Sequence, residues 1–321
     1  MGDSKSKKHL LHLAQKVSVL VLTTVISYLT LLLVCLRDTR DEHGYLAAQL
    51  DKVELLKNTP SPRLVLVGGS NLAFGVDSAE LSKAIGLPVV NMGLHASLGL
   101  RWMLDCTTSL LRKGDVVVVI PEYEEFTGET FDGDELLVQM FAFSPDLNTL
   151  RRLSPSMLLK ANSVIFTWTP GGTTAAAAGA RREFGYTRDG FNRNGDEVSH
   201  LAFANVPIRS QTRMNANLNR RAVNSLATFI EEQNRSGVTA IFVFPCLMKT
   251  RYQENQVTIS RIAGELKKHI PQRSMVPDEF VDDDQYFFNT PYHLNAEGRK
   301  RRTDKLVEVL NRSSREGGWH R

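Results

Sequence analysis

The chain has 321 residues, 42% of them hydrophobic and 23% charged, enough for one sizeable core in a single domain with an insertion. The formal charge of +4 is mild, and the basic run 299–302 has no aromatic residues interleaved with it, so it reads as a solvated helix face and argues against nucleic-acid binding. Three cysteines form no framework, and no cluster of His, Cys or carboxylate residues has metal-ligand spacing, so neither a metal nor a cofactor is expected.

Residues 1–16 form a basic tail that carries Lys5, Lys7, Lys8 and Lys16. Residues 17–36 are uncharged and almost wholly apolar, about twenty residues, the length that spans a bilayer. Lysines precede this span and charges of mixed sign follow it. The positive-inside rule then puts the N-terminus in the cytoplasm and the main domain outside, in the periplasm. A cleaved signal peptide is the rival, but its apolar region is usually shorter and ends in a small-x-small site, which is absent. Bulky Val34 before Cys35 argues against a lipoprotein cysteine.

Residues 37–57 read as a polar helical stalk, and Asn58-Thr-Pro-Ser-Pro62 as a stiff linker completing a stalk-and-linker segment over 37–62. The domain proper is expected over 63–312, with a flexible tail at 313–321. Apolar runs at 64–67, 88–91, 115–120 and 240–244 read as buried strands of a mostly parallel sheet. They alternate with helical patterns, so the expected fold is α/β, a doubly wound three-layer sandwich. Helices are expected over 217–233, 256–269 and 296–310, the last capped by Asn295, with a short final strand near 278–282. Cys106 and Cys246 read as buried free thiols or as a disulfide pair.

The interval 124–212 breaks the alternation. It contains the small-residue stretch 169–179 and then a mixture of Tyr, Arg, Asn and Asp over 185–196. That mixture suits a lid that stacks on and hydrogen-bonds sugar rings, and it equally suits a mobile surface loop.

Two segments carry the candidate chemistry. In Arg63-Leu-Val-Leu-Val-Gly-Gly-Ser70 a buried strand stops at two glycines, and the next residue bears a hydroxyl. Ligands of parallel sheets bind just beyond the carboxyl ends of strands, so Ser70 stands where a nucleophile would, or where a residue would cap the next helix. Far downstream, His293 lies on a turn stiffened by Pro291 just before the last helix, a reasonable place for a general base.

These segments, with Asn91-Met-Gly93 after the second strand, resemble the blocks of the SGNH (GDSL-like) hydrolase superfamily. The match is closest to membrane-anchored SGNH-like proteins that accompany bacterial polysaccharide O-acetylation, and it extends over most of 63–312. The resemblance implies Ser70 as nucleophile, His293 as base, and an oxyanion site built by the Ser70 and Gly93 amides. Two departures stand out. The third strand runs into Pro121-Glu-Tyr-Glu-Glu-Phe126 where the family has an oxyanion asparagine, and Thr290 occupies the place of the aspartate that orients the histidine. Asn289 is then the candidate orienter, and Asn71 or Asn91 the candidate substitute donor. Glu122, Tyr123 and His95 are candidate substrate contacts; Glu122 reads equally as a solvated loop carboxylate and His95 as a structural residue.

The implied activity is hydrolysis or transfer of an acyl ester on a cell-surface or exported polysaccharide, with a membrane-bound O-acyltransferase as acyl donor. The alternative is a catalytically degenerate domain that binds the polymer or scaffolds an acylation or export complex. A phosphate-loop reading of 68–75 fails, because the segment has neither the Gly-Lys-Ser/Thr ending nor a Gly-x-Gly-x-x-Gly pattern.

Overall fold

The computed structural model describes residues 2–128, 130–143, 153–167, 186–208, 213–270 and 276–317. Helices α1 (Gly2–Thr39) and α2 (Ala48–Asn58) precede strand β1 (Leu64–Gly68). Then come α3 (Ser70–Ala73), α4 (Ser78–Ile85), β2 (Val89–Asn91), α5 (Leu100–Thr108) and β3 (Val116–Ile120). The insertion contributes α6 (Glu135–Phe143) and α7 (Pro155–Thr167). The chain continues with α8 (Arg220–Ser236), β4 (Thr239–Phe242), β5 (Leu247–Met248), α9 (Lys249–His269), β6 (Val281–Asp282) and α10 (Ala296–Gly317).

The main sheet is parallel and four-stranded, in the order β2-β1-β3-β4. Every residue of β1, β2 and β3 is buried, which explains the uninterrupted apolar sequences of β1 and β3. The remaining short strand expected near 278–282 forms as β6, but it pairs with β5 in a separate two-stranded sheet. Helix boundaries follow their chemistry. Asp77 Oδ1 accepts from the amides of Ala79 and Glu80 to start α4, and Gly86 ends it at φ 69°. Asn295 caps α10 as expected, accepting from the Gly298 amide at 3.0 Å. Helix α10 runs to Gly317 with Ser314 buried, so the expected tail is helical through 317, and 318–321 lie outside the described residues. It buries Leu306, Val309 and Leu310, each contributing about 1.5–3 kcal/mol.

Helix α1 is unbroken, and its segment Ser6–Asp38 is long and apolar enough to cross a membrane. Leu20 and Leu22 on it are about two-thirds exposed, unlike residues of a core helix. The expected stalk is not free. Helix α2 buries Ala48, Gln49, Lys52 and Leu56 against the domain. Lys52 Nζ donates to the carbonyls of Asn91 and Gly195 and lies 4.5 Å from the Phe191 ring centre, and burial pulls its pKa down to about 7. At the opposite end of the sheet, Arg63 and Asp115, both fully buried, pair at 3.1 Å. Cys35, Cys106 and Cys246 form no disulfide, and burial pushes the Cys246 thiol up to about 12.

Candidate active site

In the strand order β2-β1-β3-β4 the chain changes direction across the sheet between β1 and β3. A crevice opens beyond the carboxyl ends of such a pair. Ser70 follows β1 there and Glu122 follows β3. Ser70 Oγ donates to Glu122 Oε1 at 3.1 Å, and the Asn71 amide donates to the same oxygen at 3.0 Å. Gly69 makes this approach feasible, because a Cβ there would sit 2.9 Å from Glu122 Oε1 and 3.1 Å from the Ala96 Cα. The Glu122 carboxyl is only 7% exposed, and burial, reinforced by the neighbouring Glu124 charge, pushes its pKa up to about 7 against the pull of its hydrogen bonds.

His293 arrives on the loop after β6. Thr290 Oγ1 accepts the His293 amide at 3.0 Å, which fixes the turn. The imidazole Nδ1 lies 2.9 Å from Asn289 Oδ1, and Asn289 Nδ2 donates to Tyr186 Oη at 3.0 Å. The amide is placed with its oxygen toward the ring. Nδ1 therefore carries the hydrogen and Nε2 keeps a lone pair. The ring is half-buried and stacks on Phe74, centroids 4.0 Å apart and planes within 6°. Phe74 ends the helical turn that Ser70 begins, its amide bonded to the Ser70 carbonyl at 3.0 Å. Burial, then the nearby His200 and His95 rings, pull the His293 pKa down to about 3, so the imidazole is neutral at any physiological pH.

Ser70 Oγ gives its hydrogen to Glu122, whereas the expected proton acceptor is His293. The expected oxyanion donors Gly93, Asn91 and Asn71 have other partners in this structure. The Gly93 amide is committed to Asn91 Oδ1 at 2.9 Å. Both amide hydrogens of Asn91 are used, on the Leu72 carbonyl and Asp196 Oδ1. Asn71, fully buried, bonds the Ile120 carbonyl and Arg302 Nη2. Each is consumed in holding the two strand ends together. Tyr123 is fully buried and stacked on Phe244, with its amide on Tyr292 Oη. His95 is half-buried beside Tyr45. Its Nδ1 accepts the Ser97 amide, which leaves the hydrogen on Nε2, and burial lowers its pKa.

Sequence reasoning missed a second histidine. His200 is buried with Nδ1 2.7 Å from Glu197 Oε2 and Nε2 2.9 Å from the Leu294 carbonyl. The ring thus bridges Glu197 and the carbonyl next to His293. The Glu197 amide donates to the Ala73 carbonyl, tying this clamp to the turn that Ser70 begins. Tyr45 was also missed. Its ring is 6.2 Å from Phe74 and 5.1 Å from Phe191, bringing the segment after α1 to the site wall. The one available signal was the density of Asn, Asp, Glu and His over 192–200. The stretch 169–179 lies outside the described residues.

No protein-family model and no curated protein matches this chain.

Proposed function

We propose that this chain is a membrane-anchored, extracytoplasmic serine acyl-ester hydrolase or O-acyltransferase of SGNH type, acting on an acylated cell-surface or exported polysaccharide. A three-layer, doubly wound sandwich with the N-terminus in the cytoplasm belongs to the same reading. The observation that carries it is the Ser70–Glu122 bond at the crevice, one helical turn from an imidazole held in a single tautomer.

Chemically, Ser70 Oγ attacks the ester carbonyl and its proton passes to the Glu122 carboxylate. The tetrahedral intermediate collapses, the departing sugar alkoxide takes that proton back, and an acyl-Ser70 remains. Water or a second sugar hydroxyl then attacks, giving its proton to Glu122; the bond between the acyl carbon and Ser70 Oγ breaks, Ser70 Oγ takes that proton back, and the free acid or the new sugar ester leaves. A base with a pKa near 7 is matched to this work, whereas an imidazole near 3 is a weak base. His293 accordingly accepts a hydrogen bond on Nε2 and orients the incoming hydroxyl. The aromatic wall of Tyr45, Phe74 and Tyr186 suits the apolar face of a sugar ring. A membrane-bound O-acyltransferase as acyl donor is part of the proposal, since a single helix gives no route for a cytoplasmic donor.

The test is labelling of the full chain in detergent with a fluorophosphonate probe. Labelling at Ser70 is expected, with a rate that rises about tenfold from pH 6 to pH 8, because the acceptor must be the anion and Glu122 is protonated below about 7. Glu122→Gln should flatten that profile. A second reading, a degenerate domain that binds polymer or scaffolds an acylation complex, is favoured by the committed Gly93 and Asn91 donors. Folded protein that stays unlabelled at every pH would decide for it.

A further inference from the structure

Helix α7 has no place in the alternation of strands and helices, yet it packs on the apolar helix α1, as does α6. Two contacts fix its height along α1. Arg40 Nη1 donates to the Ala142 carbonyl at 3.0 Å and its guanidinium lies 5.7 Å from the Phe143 ring centre, which holds the end of α6 level with the first charges after the apolar span. Tyr28, twelve residues earlier on α1, hydrogen-bonds the Leu158 carbonyl and Asn162 Oδ1 of α7 at 2.9 and 2.8 Å. The apolar span ends at Leu36, eight helical residues or about 12 Å from Tyr28, which is within the roughly 15 Å half-thickness of a bilayer's hydrocarbon.

We propose that α7 is a second membrane-inserted element, lying in the same leaflet as the outer half of α1 and presenting Leu159 and Phe166 to lipid. The proposal rests on α1 being a membrane anchor. Leu159 is 69% and Phe166 85% exposed, while Met157 and Ala161 are buried. Leu31 and Val34 of α1, the helix on which α7 packs, are exposed as well, so the exposed apolar residues of anchor and α7 belong to one packed unit. Residues 155–167 carry one charge, Lys160. Thirteen residues, about 20 Å, are too short to span but long enough to lie within one leaflet. The Tyr28–Asn162 pairing fits, because polar side chains in hydrocarbon must satisfy one another. Lipid is the occupant that this packing onto the anchor selects. The domain is thereby held at two points, and the crevice keeps one height above the membrane.

The experiment places photoreactive benzoylphenylalanine at Leu159 or Phe166 of the full chain in native membranes, with Leu22 on α1 as lipid reference and Val257, 77% exposed on α9, as aqueous control. Lipid adducts, read by mass spectrometry, are expected at 159, 166 and 22 and not at 257. Adducts at 22 alone would overturn the insertion of α7 and leave the anchor standing. No adduct at 22 would remove the anchor and the proposal together. Cross-links from 159 and 166 to another protein chain, without lipid, would show a protein interface and overturn the proposal.

Discussion

Ser70→Ala is expected to abolish fluorophosphonate labelling and ester hydrolysis while leaving the fold intact, because the hydroxyl makes one side-chain hydrogen bond and its loss leaves no cavity larger than an oxygen. Glu122→Gln is expected to lower the labelling rate by about 10²–10⁴, the usual contribution of a positioned general base. The glutamine oxygen can still accept the Asn71 amide, so the turn survives and the loss reports proton transfer. His293→Ala tests the division of labour. If the imidazole orients the incoming hydroxyl, acylation by the probe persists at a reduced rate and turnover of an acyl ester falls further. Equal loss of both in the His293 variant, with Glu122→Gln silent, would return the base role to the imidazole. The two measurements are rates on purified full chain and need no knowledge of the polymer.

Asp196→Ala should be the most damaging single change to stability, about 3–5 kcal/mol in denaturant unfolding. Asp196 is fully buried and accepts from the Ser78 amide and hydroxyl, Asn91 Nδ2, Asn192 Nδ2 and Arg299 Nη2. Removing it leaves the Arg299 guanidinium, itself 8% exposed, without its close partner. Against a typical total of about 5–15 kcal/mol, that is a large share. The contrast is Asp132→Ala, which breaks partly exposed pairs with Arg101 and Arg221 and should cost about 1 kcal/mol or less. A loss at Asp196 no greater than at Asp132 would show that the buried hub is not a keystone.

Much of the sheet was legible, because β1 and β3 are buried on both faces and their sequences have no polar residue to confuse the pattern. The cap at Asn295 was legible for a local reason, its side chain reaching an amide three residues on. Ser70, Asn289 and His293 could be singled out as residues at strand ends and on one loop. The Ser70–Glu122 bond could not, since it depends on space that Gly69 leaves for a group 52 residues away. Lys52 misled for a related reason: a lysine reads as surface, yet two carbonyls and a ring were waiting for its ammonium. The Glu197–His200 clamp lies in irregular backbone and closes on Leu294, so no periodicity announces it.

One contact sets a schedule. Arg302, buried in α10, grips the carbonyl and the side-chain oxygen of Asn71, made 231 residues earlier. During synthesis the turn that displays the serine therefore emerges long before the guanidinium that braces it. A copy cut short by a nonsense codon ahead of this arginine would leave the ribosome with that turn unbraced.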